Sequence, residues 1–209
     1  MALNRQQVVD EAMRIVDAEG LDALTLRGLA GRLGVQAPTL YWHVRNKTAL
    51  LDALGDRIMD DVAEPPPPGP DDDWREWLLA ALVGLRQAML AHRDGARIVS
   101  GARDSFRRAD FSERAMSTLV DRGVPLQQAR MTVLTAERYT IGHVLEEQAS
   151  HRPGAGEPDL DLDELRHRFP TATRAITEYF SSGRTVDDVY QDGLRLILGL
   201  PWNPPDVRS

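Results

Sequence analysis

The sequence predicts an all-α protein, with an N-terminal head of three short helices followed by a larger helical body. Three observations carry that prediction. Apolar residues recur at three- and four-residue intervals along the whole chain, and no useful stretch alternates as a strand would. Glycine, proline and Ser/Thr/Asp/Asn residues punctuate the pattern where helices start and stop. The 209 residues are 42% hydrophobic and 27% charged, enough apolar material for one core or two small ones under an ordinary soluble surface.

The first helix is expected over about 5–19, with Val8, Ala12, Ile15 and Val16 on one face and Gly20 as its stop. Thr25 reads as the N-cap of a second helix that turns Leu26, Leu29, Ala30 and Leu33 inward, and Gly34 supplies the next turn. Pro38 suits the first turn of a third short helix carrying Thr39, Leu40, Tyr41, Trp42 and His43. Asn46 caps a fourth, with Leu50, Leu51, Leu54, Ile58 and Val62 at helical intervals. The proline run at 65–70 breaks the pattern. Asp71, Asp72 and Asp73 then favour the start of a helix with an apolar stripe from Trp74 to Met89. A short segment at 95–101 and helices at about 110–122 and 126–150 follow. A loop is expected at 153–158, then helices at 160–169, 170–182 and 186–200 and a frayed tail.

Composition excludes several classes of function. With no cysteine there is no disulfide, thiolate metal site or cysteine catalysis. No window approaches the 18 apolar residues of a membrane helix, and the Met-Ala-Leu-Asn-Arg start lacks the apolar run of a signal peptide, so a cytoplasmic location is expected. Adjacent carboxylates such as Glu146–Glu147 and Asp187–Asp188 diverge on a helix and cannot share a substrate. No phosphate-binding glycine loop, nucleophile elbow or HExxH sequence is present, so no enzyme is expected.

The net charge of −7 is unevenly spread. Between Arg27 and Lys47 there are four basic residues and no acidic one, whereas residues 51–209 hold 19 basic and 27 acidic side chains. A small basic surface therefore sits on an acidic body, which repels phosphate everywhere else and orients its approach. The same stretch has two short helices joined by a glycine turn, the spacing of a helix-turn-helix. Tyr41 and Trp42 are neighbours, so both cannot face the core. An outward aromatic beside His43 and Lys47 suits phosphate and thymine-methyl contacts. The alternative is a helix that simply packs its aromatics inside a small bundle, as Leu40 must.

The run from Gly34 to Leu54, GVQAPTLYWHVRNKTALLDAL, resembles the tetracycline-repressor (TetR) family, nearest to its tetracycline-repressor subfamily. Residues 92–96, Gly101 and the run 142–148 are similar to the ligand-binding body of that subfamily. The resemblance implies a homodimer whose heads read a palindromic operator in double-stranded DNA and release it when a small molecule binds the body. The division it implies is a DNA-binding domain over 1–48 and a ligand-binding and dimerisation domain over 49–209. It also implies DNA contacts at Thr25, Arg27, Gln36, Ala37, Pro38, Thr39, Tyr41, Trp42, His43 and Lys47. Ala37 stands where the tetracycline repressors read a base with glutamine, so the operator should differ. Arg27 is the candidate for a bidentate guanine contact, and Thr39 and Lys47 for phosphate.

The positions aligned with the subfamily's drug–magnesium site are Ala63, Ala81 and Val99, and Leu85 replaces an aromatic; only Arg103 and Glu146 match. Tetracycline–magnesium is therefore not expected as the ligand, and no cofactor or metal is expected. A largely hydrophobic effector is, with Met89, Val99, Arg103, Met131, Leu134, Thr135, Arg138, Tyr139 and Glu146 as liners. The apolar ones read equally as plain core, and His143 as a ligand contact or as surface. Dimerisation should use the helices at 126–150 and 186–200, with Val186, Val189, Leu194, Ile197 and Leu198 as the seam. An activator or architectural regulator on the same fold is the rival reading, and a purely structural helical dimer a further one.

Overall fold

The computed structural model describes residues 3–150 and 161–202, and all regular structure among them is helical. Helix α1 (Arg5–Glu19) opens on a capping box in which Asn4 and Gln7 satisfy each other's backbone N–H groups. A 3-10 turn (Leu21–Ala23) leads to α2 (Leu26–Arg32), capped by the Thr25 hydroxyl, and α3 (Ala37–Tyr41) follows. Gly34 makes the turn between them at φ +67°, a conformation a β-carbon would strain. Val8, Ala12, Val16, Leu29, Leu40 and Leu50 are fully or almost fully buried and form the head's core.

Helix α4 (Lys47–Asp60), capped by Asn46, belongs to both parts, so the boundary expected at 48 falls inside it. The body comprises α5 (Trp74–Leu90), α6 (Gly95–Gly101), α7 (Phe106–Asp121), α8 (Leu126–Ser150), α9 (Leu162–Arg168), α10 (Pro170–Ser181) and α11 (Val186–Leu198). Three expected boundaries shift, one start and two ends. Helix α7 begins at Phe106 rather than near 110 because Ser105 caps it, and arginines at 107 and 108 hide the periodicity of its first turn. Helix α3 stops at Tyr41, and His43 lies in the turn beyond, its N–H reaching Leu40 O at 2.9 Å. Val62 lies past the end of α4. The loop expected at 153–158 lies outside the described residues, as does most of the tail.

Helix α4 is held from two sides. Gly55 meets α6 so closely that a β-carbon there would lie 2.5 Å from that of Ala102. Asp52 accepts from the N–H of Asp104, and Asp56 accepts from Ser105 Oγ (2.7 Å) and the Arg107 N–H; Asp60 pairs with Arg107 at 2.9 Å. One acidic stripe on α4, repeating every four residues, therefore anchors the start of α7. The linker beyond α4 is fixed too. Arg114 makes a bidentate pair with Glu64, and the Arg122 guanidinium donates to the carbonyls of Pro68, Gly69, Pro70 and Asp72.

In the body, Tyr190 is wholly buried, stacked 5.8 Å from Tyr139, and its hydroxyl donates to Leu82 O. Glu137 on α8 is buried and accepts from Ser112 Oγ at 2.6 Å. The seam expected on α11 divides: Val186 and Val189 are exposed with Leu196, but Leu194 and Leu198 are sealed in this chain's own core. The reason is that α11 faces α5 and α8 with that side.

Two outcomes follow from this packing. Gly55→Ala forces α4 and α6 apart and should lower stability by about 1–3 kcal/mol in urea unfolding. Burial raises the Glu137 pKa in the folded state, against the Ser112 hydrogen bond and the charges of Arg108 and Arg138. A raised carboxyl pKa gives stability that is present below the unfolded value (about 4.3) and lost as pH rises through the folded one. Glu137→Gln should therefore be more stable than the parent at pH 7, by about 1 kcal/mol, with the gap closing near pH 4 in thermal denaturation.

Candidate nucleic-acid interface

The α2–turn–α3 unit presents one face of the head to solvent. Leu40 at 0% exposure anchors α3, while Tyr41 is 50% and Trp42 88% exposed. Gln36, Pro38 and Thr39 are also exposed, and Ala37 and His43 are half-buried at the edges of the same short element. The rings on which the sequence reading depended therefore point outward. A side chain as large and apolar as Trp42 standing in water at the tip of a five-residue helix is a cost that a partner surface removes.

Cations surround it. Arg27 sits exposed in the first turn of α2, and Lys47 is the first residue of α4. Among the described residues, Arg27, Arg45 and Lys47 enter no ion pair, whereas Arg32 is spent on Glu11 and Glu19. The Thr25 hydroxyl accepts from the Gly28 N–H at 3.0 Å, so its first task is to cap α2. Its exposure leaves the hydroxyl proton available to a phosphate. Sequence reasoning missed Arg45, an exposed cation between α3 and α4; its place in the acid-free stretch was the signal.

The nine expected effector contacts do not come together. Met89 and Val99 are core residues, Leu134 and Tyr139 half-buried, and Arg103 lies exposed in the turn after α6. Met131, Thr135, Arg138 and Glu146 are exposed and follow one another at helical spacing along a single outer stripe of α8. That stripe sits beside the exposed Val186 and Val189 of α11, since Tyr139 of α8 bonds the carbonyls of Val189 and Tyr190. Spacing along α8 shows which residues share a face but not whether that face turns inward. The magnesium positions do not fit a metal either, because the side chains of Ala63, Ala81 and Val99 carry no ligating atom. Among the described residues no three His, Asp or Glu side chains converge on a point.

A large cavity lies elsewhere, at the joint between head and body. It measures about 770 Å³ and is walled by Glu19, Gly20 and Asp22 of the head against residues of α5, α6, α8, α11 and the turn at 92–94. Polar bonds cross the joint. His92 Nδ1 lies 3.1 Å from Asp17, Arg93 donates to Ala18 O, and Asp94 accepts the Leu21 N–H at 2.9 Å. Arg97 of α6 bridges Asp22 and Asp94, which raises its pKa further. Asp94 holds φ +58°, and it is the one non-glycine residue among those described with positive φ. Its carboxylate commitments on both sides hold it there.

These features define a class: a helical protein with an outward, basic helix-turn-helix head joined through a shared helix to a cavity-bearing body. Comparison with known proteins agrees. Residues 8–54 match the model of the tetR family of bacterial regulatory proteins, and residues 66–200 that of the tetracyclin repressor-like C-terminal domain. The class A tetracycline repressor from transposon 1721 of Escherichia coli is 37% identical over 196 residues, 94% of this chain and 89% of that protein. A possible TetR family transcriptional regulator of Streptomyces coelicolor A3(2) superposes with a TM-score of 0.79 at 34% identity, covering 94% of this chain and 97% of its own. A TetR variant of Acinetobacter baumannii AYE in complex with minocycline gives 0.71 at 31%, over 94% and 95%. The chain belongs to the TetR family of transcriptional regulators.

Proposed function

We propose that this protein is a ligand-responsive repressor that reads a palindromic DNA operator as a homodimer. The observation that carries the reading is the outward Tyr41–Trp42 pair on α3, flanked by Arg27, Arg45 and Lys47, which enter no ion pair among the described residues. Helix α3 enters the major groove; Gln36, Ala37, Pro38, Thr39, Tyr41, Trp42 and His43 meet bases and sugar–phosphate there. Arg27 reads a guanine, and Thr25, Thr39 and Lys47 hold phosphates. Two heads must stand about 34–36 Å apart to reach successive grooves. The exposed stripes of α8 and α11, with Met131, Val186 and Val189, supply the apolar part of a dimer seam.

Release follows from α4. A ligand in the body that prefers a different α6 position moves α4 with it, because Gly55–Ala102 contact and the Asp52–Asp56–Asp60 stripe leave little slack. The ligand acts only through its preference for the spread state. An activator would share every contact named, and a reporter assay under the protein's own promoter separates the two.

The purified dimer should shift its own upstream intergenic DNA in a gel, with affinity falling steeply as salt rises. Trp42→Ala and Arg27→Ala should each weaken that shift at least tenfold, about 1.4 kcal/mol or more, while light scattering still reports a dimer. A salt-insensitive shift, or none, would overturn the reading.

A further inference from the structure

Of the 25 basic residues in the chain, Lys47 is the one lysine; all the others are arginine. A guanidinium stays protonated at any working pH and is no nucleophile, whereas a lysine can release a proton to give a nucleophilic amine. Side-chain amine chemistry on this protein is therefore confined to one position. That position is the first residue of α4, in the head's reading surface.

The surroundings leave the amine open. Lys47 is exposed and, among the described residues, enters no ion pair. The positions three and four residues on, where a helical partner would stand, are Leu50 and Leu51, and the first turn of α4 carries no acidic residue. A positive charge there opposes the helix dipole, so the helix does not depend on keeping it. Asn46 does the capping, its side chain accepting from the Ala49 N–H at 2.8 Å. Arg27 and Arg45 are exposed in the same acid-free stretch, also without ion pairs among the described residues. Their field concentrates anions. A small anion drawn to that stretch meets an amine with no competing partner.

We propose that Lys47 is a modification site, acylated by an activated acyl group carried on a phosphate, and that the modification keeps the head off DNA. The free amine attacks the acyl carbon. A C–N bond forms, the C–O bond to the phosphate breaks, phosphate leaves with the bonding pair, and the amine proton passes to water. A cation becomes a neutral amide. Each head loses a cation that holds a DNA phosphate, and a dimer loses two. Bound operator covers the same amine, so the modification takes hold on the released protein. The chemistry stands on the exposed, unpaired amine alone; its effect on DNA deepens the repressor reading above and rests on it.

The test uses the full-length dimer and acetyl phosphate, followed by peptide mass mapping. Without DNA, Lys47 should acetylate about threefold or more faster than Nα-acetyl-lysine amide at low salt, and the gap should close at high salt. Excess operator should slow the reaction at Lys47. The acetylated dimer should bind operator at least about tenfold more weakly, with the slope of log affinity against log salt smaller by about two. Lys47→Gln should reproduce both shifts. Lys47→Arg, treated in parallel, should show the same operator affinity before and after treatment, which separates Lys47 from the chain's N-terminal amine. Reaction no faster than that of the free amide overturns the site. Reaction unslowed by operator, an unchanged salt slope in the acetylated dimer and Lys47→Gln, or a loss of affinity that persists in treated Lys47→Arg overturns the switch. Failure of the untreated parent to bind operator counts against the repressor reading alone, because the mass map still reports on the amine.

Discussion

One helix has to satisfy two cores. Leu50, Leu54 and Ile58 of α4 are buried to within 1% exposure, and the same fourteen-residue helix carries its carboxylates outward to the start of α7 and its glycine against α6. Neither part of the molecule can turn without it. The head's core closes on the first half of α4, so the orientation of α3 is set by the α4 axis. The body grips the same axis through contacts that leave no room for a side chain at Gly55. Close-packed contacts of this kind are bistable rather than elastic, which lets a small displacement in the body reach the reading surface.

The reading surface depends on a second constraint, the shortness of α3. Five residues can bury one large side chain, and Leu40 is it. Everything else on that element is forced outward, including two aromatics that a longer helix would have room to turn inward. The basic residues add to this because no carboxylate lies within the stretch from Arg27 to Lys47 to quench them. The linker beyond α4 is restrained in a complementary way. Its prolines donate no hydrogen bonds, so their carbonyls are available to Arg122, which gathers four carbonyls of the segment onto α7.

The head was legible in the sequence because its signals are local. Asn4, Thr25 and Asn46 cap helices three residues away, Gly34 turns the chain, and the exposure of Tyr41 and Trp42 follows from adjacency. The body was legible as a set of helices but not as a site. Which side of α8 faces solvent depends on α5 and α11, fifty residues away on either side, and the even spread of apolar residues around α8 gave no preferred face. Leu194 and Leu198, which the pattern allows either in a dimer seam or within the monomer, lie inward for the same reason. The joint was invisible: Asp17 with His92, Leu21 with Asp94 and Asp22 with Arg97 are each more than seventy residues apart. Its one local trace is Asp94, a short polar residue able to take a left-handed conformation before α6.

That the joint is polar bears on how the molecule can work. An apolar seam of the same extent would be lost only by exposing hydrocarbon to water, at about 25 cal/mol for every Å². Hydrogen bonds and ion pairs at a half-exposed boundary exchange with water at a net cost nearer 1 kcal/mol each. A joint built from five or so such contacts is therefore specific in geometry yet cheap to reopen one contact at a time. The strain held at Asp94 works in the same direction, since it is relieved when the contacts around it part. A head fastened in this way is held in one orientation while the joint is intact. The apolar cores on either side do not depend on these contacts, so parting the joint changes an angle without exposing either core.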